Sequence, residues 1–472
     1  MFINKAYHNG AMKFRVDRDS LGEVNIPSDA YYGAFTARAL KQYKVTGLKS
    51  HQLLIRAYVM IKRSAALANM KLKKLDSKKG NAIVKACDEI LDGSLIDQFV
   101  VDAINSGAGT AFNMNVNEVI ANKALEILGR GKGDYKSVNP NDDVNMSQSS
   151  NDTFPTAMHV AILMDLNELI PTIDKLSASL RKKAKEFSTV AKVGRTHLMD
   201  ALPVTLGAEF DAYANAVENA KRAIENAKTE LEYVALGGTA VGTGANASKG
   251  YRMLAIKNLA DISELNLKPA KDMRYALQSR FGCANASSSL RNLALELIRV
   301  ANDIRLMASG PVAGLAEINI PAVHAGSSIM PGKVNPSLAE SLNMVCFNVV
   351  GNDVSVALAV QAGQFELNIM LPVMVKCVLD SIDMLKNILP VFAENMIDGL
   401  HANKEKLKTY IGKSPVLVTL LAPYIGYMQA AQLYKEALKS GTNVRELVVR
   451  KGLMSKERVD KVLSEKNVLT IE

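Results

Sequence analysis

The stretch AILMDLNELIPTIDKLSASL, residues 161–180, decides how this chain folds. Its apolar residues recur at alternating steps of four and three, at Ile162, Leu166, Leu169, Ile173, Leu176 and Leu180. A sustained spacing of this kind keeps one narrow apolar stripe on a helix, as in the seam of a bundle or coiled coil. Pro171 lies inside the stripe, where we expect a kink rather than the end of the helix.

Two further stretches repeat this spacing. One carries Phe210, Tyr213, Val217, Ala220, Ile224, Ala227 and Leu231, and the other carries Leu290, Leu293, Leu297, Val300, Ile304 and Met307. Helices this long usually need apolar partners on more than one side. The sequence therefore predicts an all-α, mainly helical fold built on a long central helical bundle. The periodicity alone does not indicate which reaction or ligand the protein has.

The length of 472 residues suggests about three domains. We predict a mostly helical N-terminal domain over 1–148, a central long-helix bundle over 149–395, and a small helical C-terminal domain over 396–472, where the helices become shorter and richer in Lys. Near the start of the chain, IPSDAYYG reads as a loop entering a helix, with Ser28 or Asp29 as the N-cap.

Composition narrows the function classes. The net charge of +10 comes from short, dispersed basic clusters, so nucleic-acid binding is not expected; a solvated surface or mild steering of a small anion explains it. Trp is absent, which disfavours base-stacking surfaces. No uninterrupted apolar run reaches the roughly 18 residues of a membrane span. The four cysteines, which form no CxxC pair, suit buried thiols. A soluble, cytoplasmic protein without a membrane partner is expected.

Four segments interrupt the helical pattern with Gly, Asn, Ser and Thr. They are SGAGTAFNMN (106–115), NPNDDVNMSQSSND (139–152), GRTHLMD (194–200) and GSSIMPGKVNP (326–336). Such segments offer hydroxyl, amide and backbone donors suited to carboxylates or phosphates. Loop and cap chemistry would explain one of them alone, but four in a helical chain indicate a site.

The fourth segment is not a nucleotide loop, because Val334 stands where a Walker loop needs Ser or Thr. Lys333 and Asn335 are suited to clamping a carboxylate. A neighbouring serine is a candidate base only if backbone donors stabilise its alkoxide. His197, in a polar segment, is a candidate acid, whereas His159 is predicted to pack or cap. No histidine spacing favours a metal site.

GSSIMPGKVNP resembles the signature of the aspartase/fumarase superfamily. SGAGT, PNDDVN, QSSNDTFPTAMH, GRTHL, LGGTAVGTG, ANDIR and GQFELN are also similar to that family, in its order, so the resemblance covers nearly the whole chain from about residue 13. It implies a three-domain fumarase/aspartase-like fold, a homotetramer with active sites shared between three subunits, and no cofactor. The implied reaction eliminates water, ammonia or another group from a small succinyl-type dicarboxylate to leave fumarate.

The resemblance also implies residue roles. Ser327 would remove a proton from the carbon next to one carboxylate, and His197 with Glu340 would handle the proton of the water or leaving group. The implied substrate-binding residues are Thr110, Ser149, Ser150, Asn151, Thr196, Ser328, Lys333 and Asn335. Of these, Thr196, Lys333 and Asn335 would hold the aci-carboxylate intermediate.

A second dicarboxylate site is implied at Asn139, Asn141 and Asp142. Fumarases carry a His where this chain has Asn139, so we expect this second site to be impaired.

Whether the leaving group is water or ammonia is harder to predict, because motifs of both subfamilies are present. Ser149-Ser150-Asn151, where known aspartases have Ser-Thr-Asn, favours fumarase together with TFPTAMH, GGTAVGTG and ESLNMVC. DAYYG, SGAGT, KGDY and RLMASGPVAGLAEI favour aspartase. Because positions that contact substrate count for more than scaffold, the sequence predicts a class II fumarate hydratase. Aspartate ammonia-lyase is the alternative, and a non-catalytic helical scaffold is a remote third.

Overall fold

The computed structural model describes residues 13–464. Helices dominate this part of the chain, as the sequence predicts. They are α1 (Ala34–Gln42), α2 (Gln52–Lys71), α3 (Ser77–Leu91), α4 (Thr110–Ile127), α5 (Ser150–Glu186), α6 (Leu206–Leu231), α7 (Tyr251–Ser263), α8 (Met273–Gln278), α9 (Phe281–Met307), α10 (Ser337–Gln361), α11 (Leu371–Phe392), α12 (Lys404–Lys413), α13 (Val418–Ile425), α14 (Tyr427–Ser440), α15 (Val444–Arg450) and α16 (Lys456–Val462).

The strands form only two-stranded ladders in the described residues. They are β1 (Phe14–Asp19), β2 (Gly22–Pro27), β3 (Ala191–Thr196), β4 (Met199–Thr205), β5 (Tyr233–Val234), β6 (Lys268–Pro269), β7 (Ile318–Asn319) and β8 (His401–Ala402). β1 pairs with β2, β3 with β4 and β7 with β8 in antiparallel fashion, and β5 pairs with β6 in parallel. The core is therefore made by helices.

The contacts divide the chain into two compact units. The first unit contains the described residues up to Leu169 together with Ala223–Arg291 and Asn348–Asp383. The second unit contains Ile170–Arg222, Asn292–Phe347 and the described residues from Met384 onward. The division into three domains that we draw from the sequence stays a prediction.

The three apolar stripes lie on the long helices α5, α6 and α9. In α5, the stripe residues Leu166, Leu169 and Ile173 have no exposed surface. The helix continues through Pro171 to Glu186, which confirms that Pro171 does not end it. The 3,4 spacing thus marks the buried faces of helices, as expected.

The start of α1 differs from the prediction. Its N-cap is Gly33, which makes no side-chain cap, so the expectation of Ser28 or Asp29 is wrong. The buried carboxylate of Glu118 accepts the N–H groups of Gly33 at 2.8 Å and Thr36 at 3.1 Å. A residue on α4 therefore satisfies backbone donors that a local cap normally serves.

The helices α12 to α16 surround an apolar cluster of their own. It includes Leu421, Leu433 and Leu447, each at most 1% exposed. Asn443 caps α15 and Ser455 caps α16 by accepting backbone N–H groups. The helices after residue 396 are short, as the sequence predicts.

Candidate active site

The N-terminus of α4 is set by a glycine. Gly109 has φ +64°, and a Cβ built on it would lie 1.8 Å from Cδ2 of Phe154. Only glycine tolerates both the left-handed backbone and this close approach. The loop that delivers Thr110 is thereby held against the first turns of α5, which begins at Ser150.

Thr110 and Ser150 meet as a pair of hydroxyl groups. Thr110 Oγ1 lies 3.1 Å from Ser150 Oγ, although the two residues are 40 positions apart in sequence. Both side chains are partly exposed. The structure therefore brings together two of the predicted substrate-binding residues, and we call this pair the hydroxyl wall.

The bulky residue next to the wall is part of the core. Phe112 has no exposed surface and packs edge-on against Tyr58, with ring centroids 5.3 Å apart, and against Phe154, at 6.4 Å. Phe112 is thus a core residue, and its side chain is not exposed beside the wall.

Asp152 organises the beginning of α5. Its Oδ1 accepts the Ser149 N–H at 3.0 Å, while its Oδ2 accepts the N–H groups of Gly237 at 3.0 Å and Thr239 at 2.9 Å. Burial raises the pKa of this carboxyl to about 6, and the hydrogen bonds to its backbone donors oppose the rise. Sequence reasoning missed Asp152, although Ser149-x-x-Asp152 is a capping-box pattern.

Asn151 is also held in place. Its Nδ2 donates to the carbonyl oxygen of Ala240 at 2.9 Å, and its N–H donates to Ser149 Oγ at 3.2 Å. Asn151 and Ser149, which are both predicted to bind substrate, therefore also make hydrogen bonds that fix the backbone around the hydroxyl wall.

One cavity of about 610 Å³ in the first unit is lined both by Thr110 of the hydroxyl wall and by residues of the second predicted site. Its lining includes Thr110, Asn139, Asn141, Arg18 and Arg38. Arg38 forms an ion pair with Asp19, which lines the same cavity, at 2.8 Å, so the charge of Arg38 is balanced there.

The side chain of Asn139 has a structural task. Its Oδ1 accepts the N–H groups of Asn141 at 2.8 Å and Asp142 at 3.1 Å, capping the single helical turn Pro140–Val144. The acceptor oxygen of Asn139 is therefore already used within the turn. The second dicarboxylate site stays a prediction.

Thr196 and His197 lie at the exposed tip of the β3–β4 hairpin. Thr196 pairs with Met199, and the turn residues His197 and Leu198 have φ values of +55° and +60°. Positive φ at both central positions fits a type I′ turn, which usually takes Asn or Gly. Side chains held in this strained backbone cluster at functional sites.

The base of this hairpin is tied down by buried charges. Lys192 Nζ lies 2.8 Å from Glu317 Oε2 and 2.9 Å from Glu209 Oε2, and Arg195 lies 2.7 Å from Glu317 Oε1. Glu317 has no exposed surface. These residues orient the strand that leads to His197, and no local pattern in the sequence identifies them.

Ser327 lies in the GSSIMPGKVNP loop with its oxygen already engaged. Ser327 Oγ accepts the N–H groups of Ile329 at 3.3 Å and Met330 at 2.9 Å. These are the backbone donors that the base hypothesis requires, because they stabilise negative charge on the oxygen.

The two ends of this loop meet. Asn335 donates from Nδ2 to the carbonyl oxygen of Gly326, and a Cβ on Gly326 would lie 2.0 Å from the Lys333 carbonyl oxygen. The Lys333 and Ser328 side chains are exposed. The carboxylate clamp predicted for Lys333 and Asn335 is therefore not assembled here, because Asn335 closes the loop.

Glu340 stands in the first turn of α10 and is partly exposed. Within residues 13–464, no hydrogen bond or ion pair joins Glu340 to His197. The predicted pair is not formed within one chain, and its roles stay predictions.

One group of side chains has the composition of a metal site. Ligand atoms of His51, Asp165 and Asp383 all lie within 4.8 Å of one another. His51 Nδ1 accepts the N–H of Leu53, so Nε2 carries the proton that it shares with Asp383 at 2.8 Å. A metal on Nε2 would have to displace this proton, so the geometry favours a helix cap held by a carboxylate.

His159 caps the end of α6, as predicted. Its Nδ1 donates to the carbonyl oxygens of Leu231 at 3.2 Å and Tyr233 at 3.1 Å. Burial lowers the pKa of His159 to about 4, with a further contribution from the charge of Arg280. The imidazole is therefore neutral at pH 7 and serves structure.

Comparison with known families finds relatives over nearly the whole chain. A family model described as Lyase matches residues 22–351, and a model described as Fumarase C C-terminus matches residues 417–470. The chain is 46% identical over 456 residues to an aspartate ammonia-lyase of Bacillus subtilis, covering 97% of this chain and 96% of the relative. It is 43% identical over 459 residues to a class II fumarate hydratase of Helicobacter pylori, covering 97% and 99%.

Solved structures show the same fold. A class II fumarase from Schistosoma mansoni superposes with a TM-score of 0.93 at 38% identity, covering 96% of this chain and 98% of that one. A Brucella melitensis protein described as fumarate lyase:delta crystallin reaches a TM-score of 0.94 at 44% identity, covering 97% and 100%. These matches, together with the helical fold, show that this chain belongs to the aspartase/fumarase superfamily and is a lyase with that family's elimination chemistry.

Proposed function

We propose that the protein is a fumarate hydratase, which interconverts (S)-malate with fumarate and water. The observation that carries the choice of water is Ser150 in the hydroxyl wall, 3.1 Å from Thr110 and standing where known aspartases have Thr. A hydroxyl both donates and accepts hydrogen bonds, so the pair can bind a water molecule or a departing hydroxyl group, which also does both. Because a hydroxyl oxygen also accepts from an ammonium group, the choice rests on the identity of residue 150 and not on the presence of two hydroxyls.

In the proposed mechanism, Ser327 acts as the base. As an alkoxide it takes a proton from the carbon next to one carboxylate, and that carboxylate becomes a dianionic aci-carboxylate. The N–H groups of Ile329 and Met330 at Ser327 Oγ support this role, because they stabilise the alkoxide. Thr196, Lys333 and Asn335 would hold the intermediate, for which Asn335 must release the Gly326 carbonyl.

The hydroxyl group then leaves from the neighbouring carbon as water. His197, with Glu340 from another subunit, would supply its proton. Thr110, Ser150 and Asn151 would orient the second carboxylate and the leaving group, and the rigid backbone around Asp152 supports this role by fixing their positions.

We further propose a homotetramer whose sites combine residues from several subunits. On α10, Met344, Phe347, Val354 and Leu358 are each more than half exposed. Exposed apolar side chains at helical spacing indicate a surface covered by other helices. By length and composition alone α10 would also suffice to cross a membrane. Size-exclusion chromatography with light scattering tests this. A mass of four chains without detergent supports the tetramer, and a protein that stays in solution only with detergent contradicts it.

The second candidate is aspartate ammonia-lyase. It is favoured by Ala108 within SGAGT and by the 46% identity to the Bacillus subtilis enzyme of that name. Purified protein incubated with fumarate, with and without ammonium, separates the two by loss of ultraviolet absorbance. Loss without ammonium supports the hydratase, whereas an absolute need for ammonium overturns it.

A further inference from the structure

A lysine is fully buried behind the hydroxyl wall. Lys62, on α2, has no exposed surface, and its Nζ donates to Asn113 Oδ1 at 2.8 Å, Asn145 Oδ1 at 2.8 Å and Gln148 Oε1 at 3.0 Å. All these acceptors are neutral amide oxygens. Buried ammonium groups are costly and usually sit against carboxylates, so this arrangement needs an explanation.

The acceptors come from both segments that form the wall. Asn113 lies on the first turn of α4, which starts at Thr110, while Asn145 and Gln148 lie in the turn that leads to Ser149. The three donors of one ammonium group therefore connect the backbone behind Thr110 to the backbone before Ser149.

The charge of Lys62 is balanced only at a distance. Burial lowers the pKa of Lys62 to about 7, while the charge of Asp152 opposes that change. Asp152 has its own oxygens on backbone donors from Ser149, Gly237 and Thr239. The three amide oxygens need three donors, which an ammonium group has and a neutral amine does not, so the charged form of Lys62 fits this geometry.

We propose that Lys62 is a positioning residue of the dicarboxylate site, which holds the hydroxyl wall in its binding geometry and places a positive charge behind it. This rests on the proposed function only in that the ligand is a four-carbon dicarboxylate. The residue acts on binding and does not touch the reacting atoms. Its loss should therefore raise KM and leave kcat nearly unchanged.

The test uses the full chain with Lys62→Met, Lys62→Gln and the control Lys71→Met, which removes an exposed lysine from the same helix. Succinate binding is measured by titration calorimetry, because this saturated dicarboxylate has no leaving group and reports the site whichever group is eliminated. KM and kcat for fumarate are measured in parallel, and thermal unfolding shows that each variant is folded.

We expect Lys62→Met to raise the Kd for succinate about tenfold to hundredfold. Lys62→Gln, which keeps two donors and loses the charge, should fall between it and wild type, and Lys71→Met should match wild type. Folded Lys62 variants with wild-type Kd and KM would overturn the proposal.

If neither Lys62 variant folds, Asn145→Ala decides in the same assay, because it removes one acceptor and keeps the lysine. A raised Kd supports the proposal and an unchanged Kd overturns it. Wild-type protein that binds succinate but does not hydrate fumarate would overturn the hydratase assignment alone.

Discussion

Replacing Gly109 by Ala tests the placement of Thr110 directly. The substitution puts a Cβ 1.8 Å from Cδ2 and 2.0 Å from Cε2 of Phe154. Phe154 is 1% exposed and enclosed by Tyr58 and Phe112, so it has no space into which to move. Forcing extra volume into such a core costs about 1–3 kcal/mol.

The left-handed backbone adds a second cost. Gly109 has φ +64°, and a residue with a Cβ loses about 1–2 kcal/mol there. Gly129, at the other end of α4, supplies the matched control, because its φ is +69° and nothing lies within 4 Å of the added Cβ. We expect Gly109→Ala to lower the free energy of unfolding by about 2–5 kcal/mol and Gly129→Ala by about 1–2 kcal/mol.

The assay is urea denaturation of both variants and wild type at one protein concentration, together with KM for fumarate. Gly109→Ala should also raise KM, since the added Cβ forces the backbone at Gly109 away from Phe154 and so moves Thr110 away from Ser150. If the two variants lose equal stability and keep wild-type KM, the argument from close packing is refuted.

Other predictions follow from single contacts. Asp152→Asn should lower the free energy of unfolding by about 2–4 kcal/mol in urea, because an amide cannot accept all of the backbone N–H groups now on the carboxylate; wild-type stability would contradict this. His159 has its pKa lowered from 6.5 to about 4, so the folded state resists protonation and loses stability as pH falls below 6.5. Between pH 7 and pH 5 the free energy of unfolding of the wild type should fall by about 2 kcal/mol more than that of His159→Gln, as measured by urea denaturation at each pH. Ser327→Ala should lower kcat by about 10²–10⁴-fold, and because the side chain bonds only within an exposed loop, its thermal midpoint should match wild type; retained activity would exclude Ser327 as the base.

The helical fold could be predicted because its signal is local. The stripe through Leu166, Leu169 and Ile173 needs only the period of a helix, and these residues are fully buried in α5. The polar segments were recognisable for the same reason, since clusters of Gly, Ser and Asn stand out within a helical chain. The segments could therefore be located from composition, whereas the roles predicted for Ser327 and Ser150 within them come from the resemblance to the aspartase/fumarase superfamily.

The supporting contacts could not be predicted, because they join distant residues. Glu118 serves the backbone of Gly33 from 85 positions away, and Lys62 reaches Gln148 across 86. A buried carboxylate or ammonium has no sequence pattern that names its partner. Likewise, the closed loop at Asn335 depends on the backbone conformation at Gly326, which residue identity leaves open.

The central claim is that this site eliminates water. The most direct measurement is the ratio of kcat/KM for (S)-malate to that for L-aspartate, determined with one preparation of the wild-type protein in the same buffer. The hydratase account predicts a ratio far above one, with formation of fumarate from malate that needs no ammonium. A protein that forms fumarate from L-aspartate and leaves malate unchanged would contradict it.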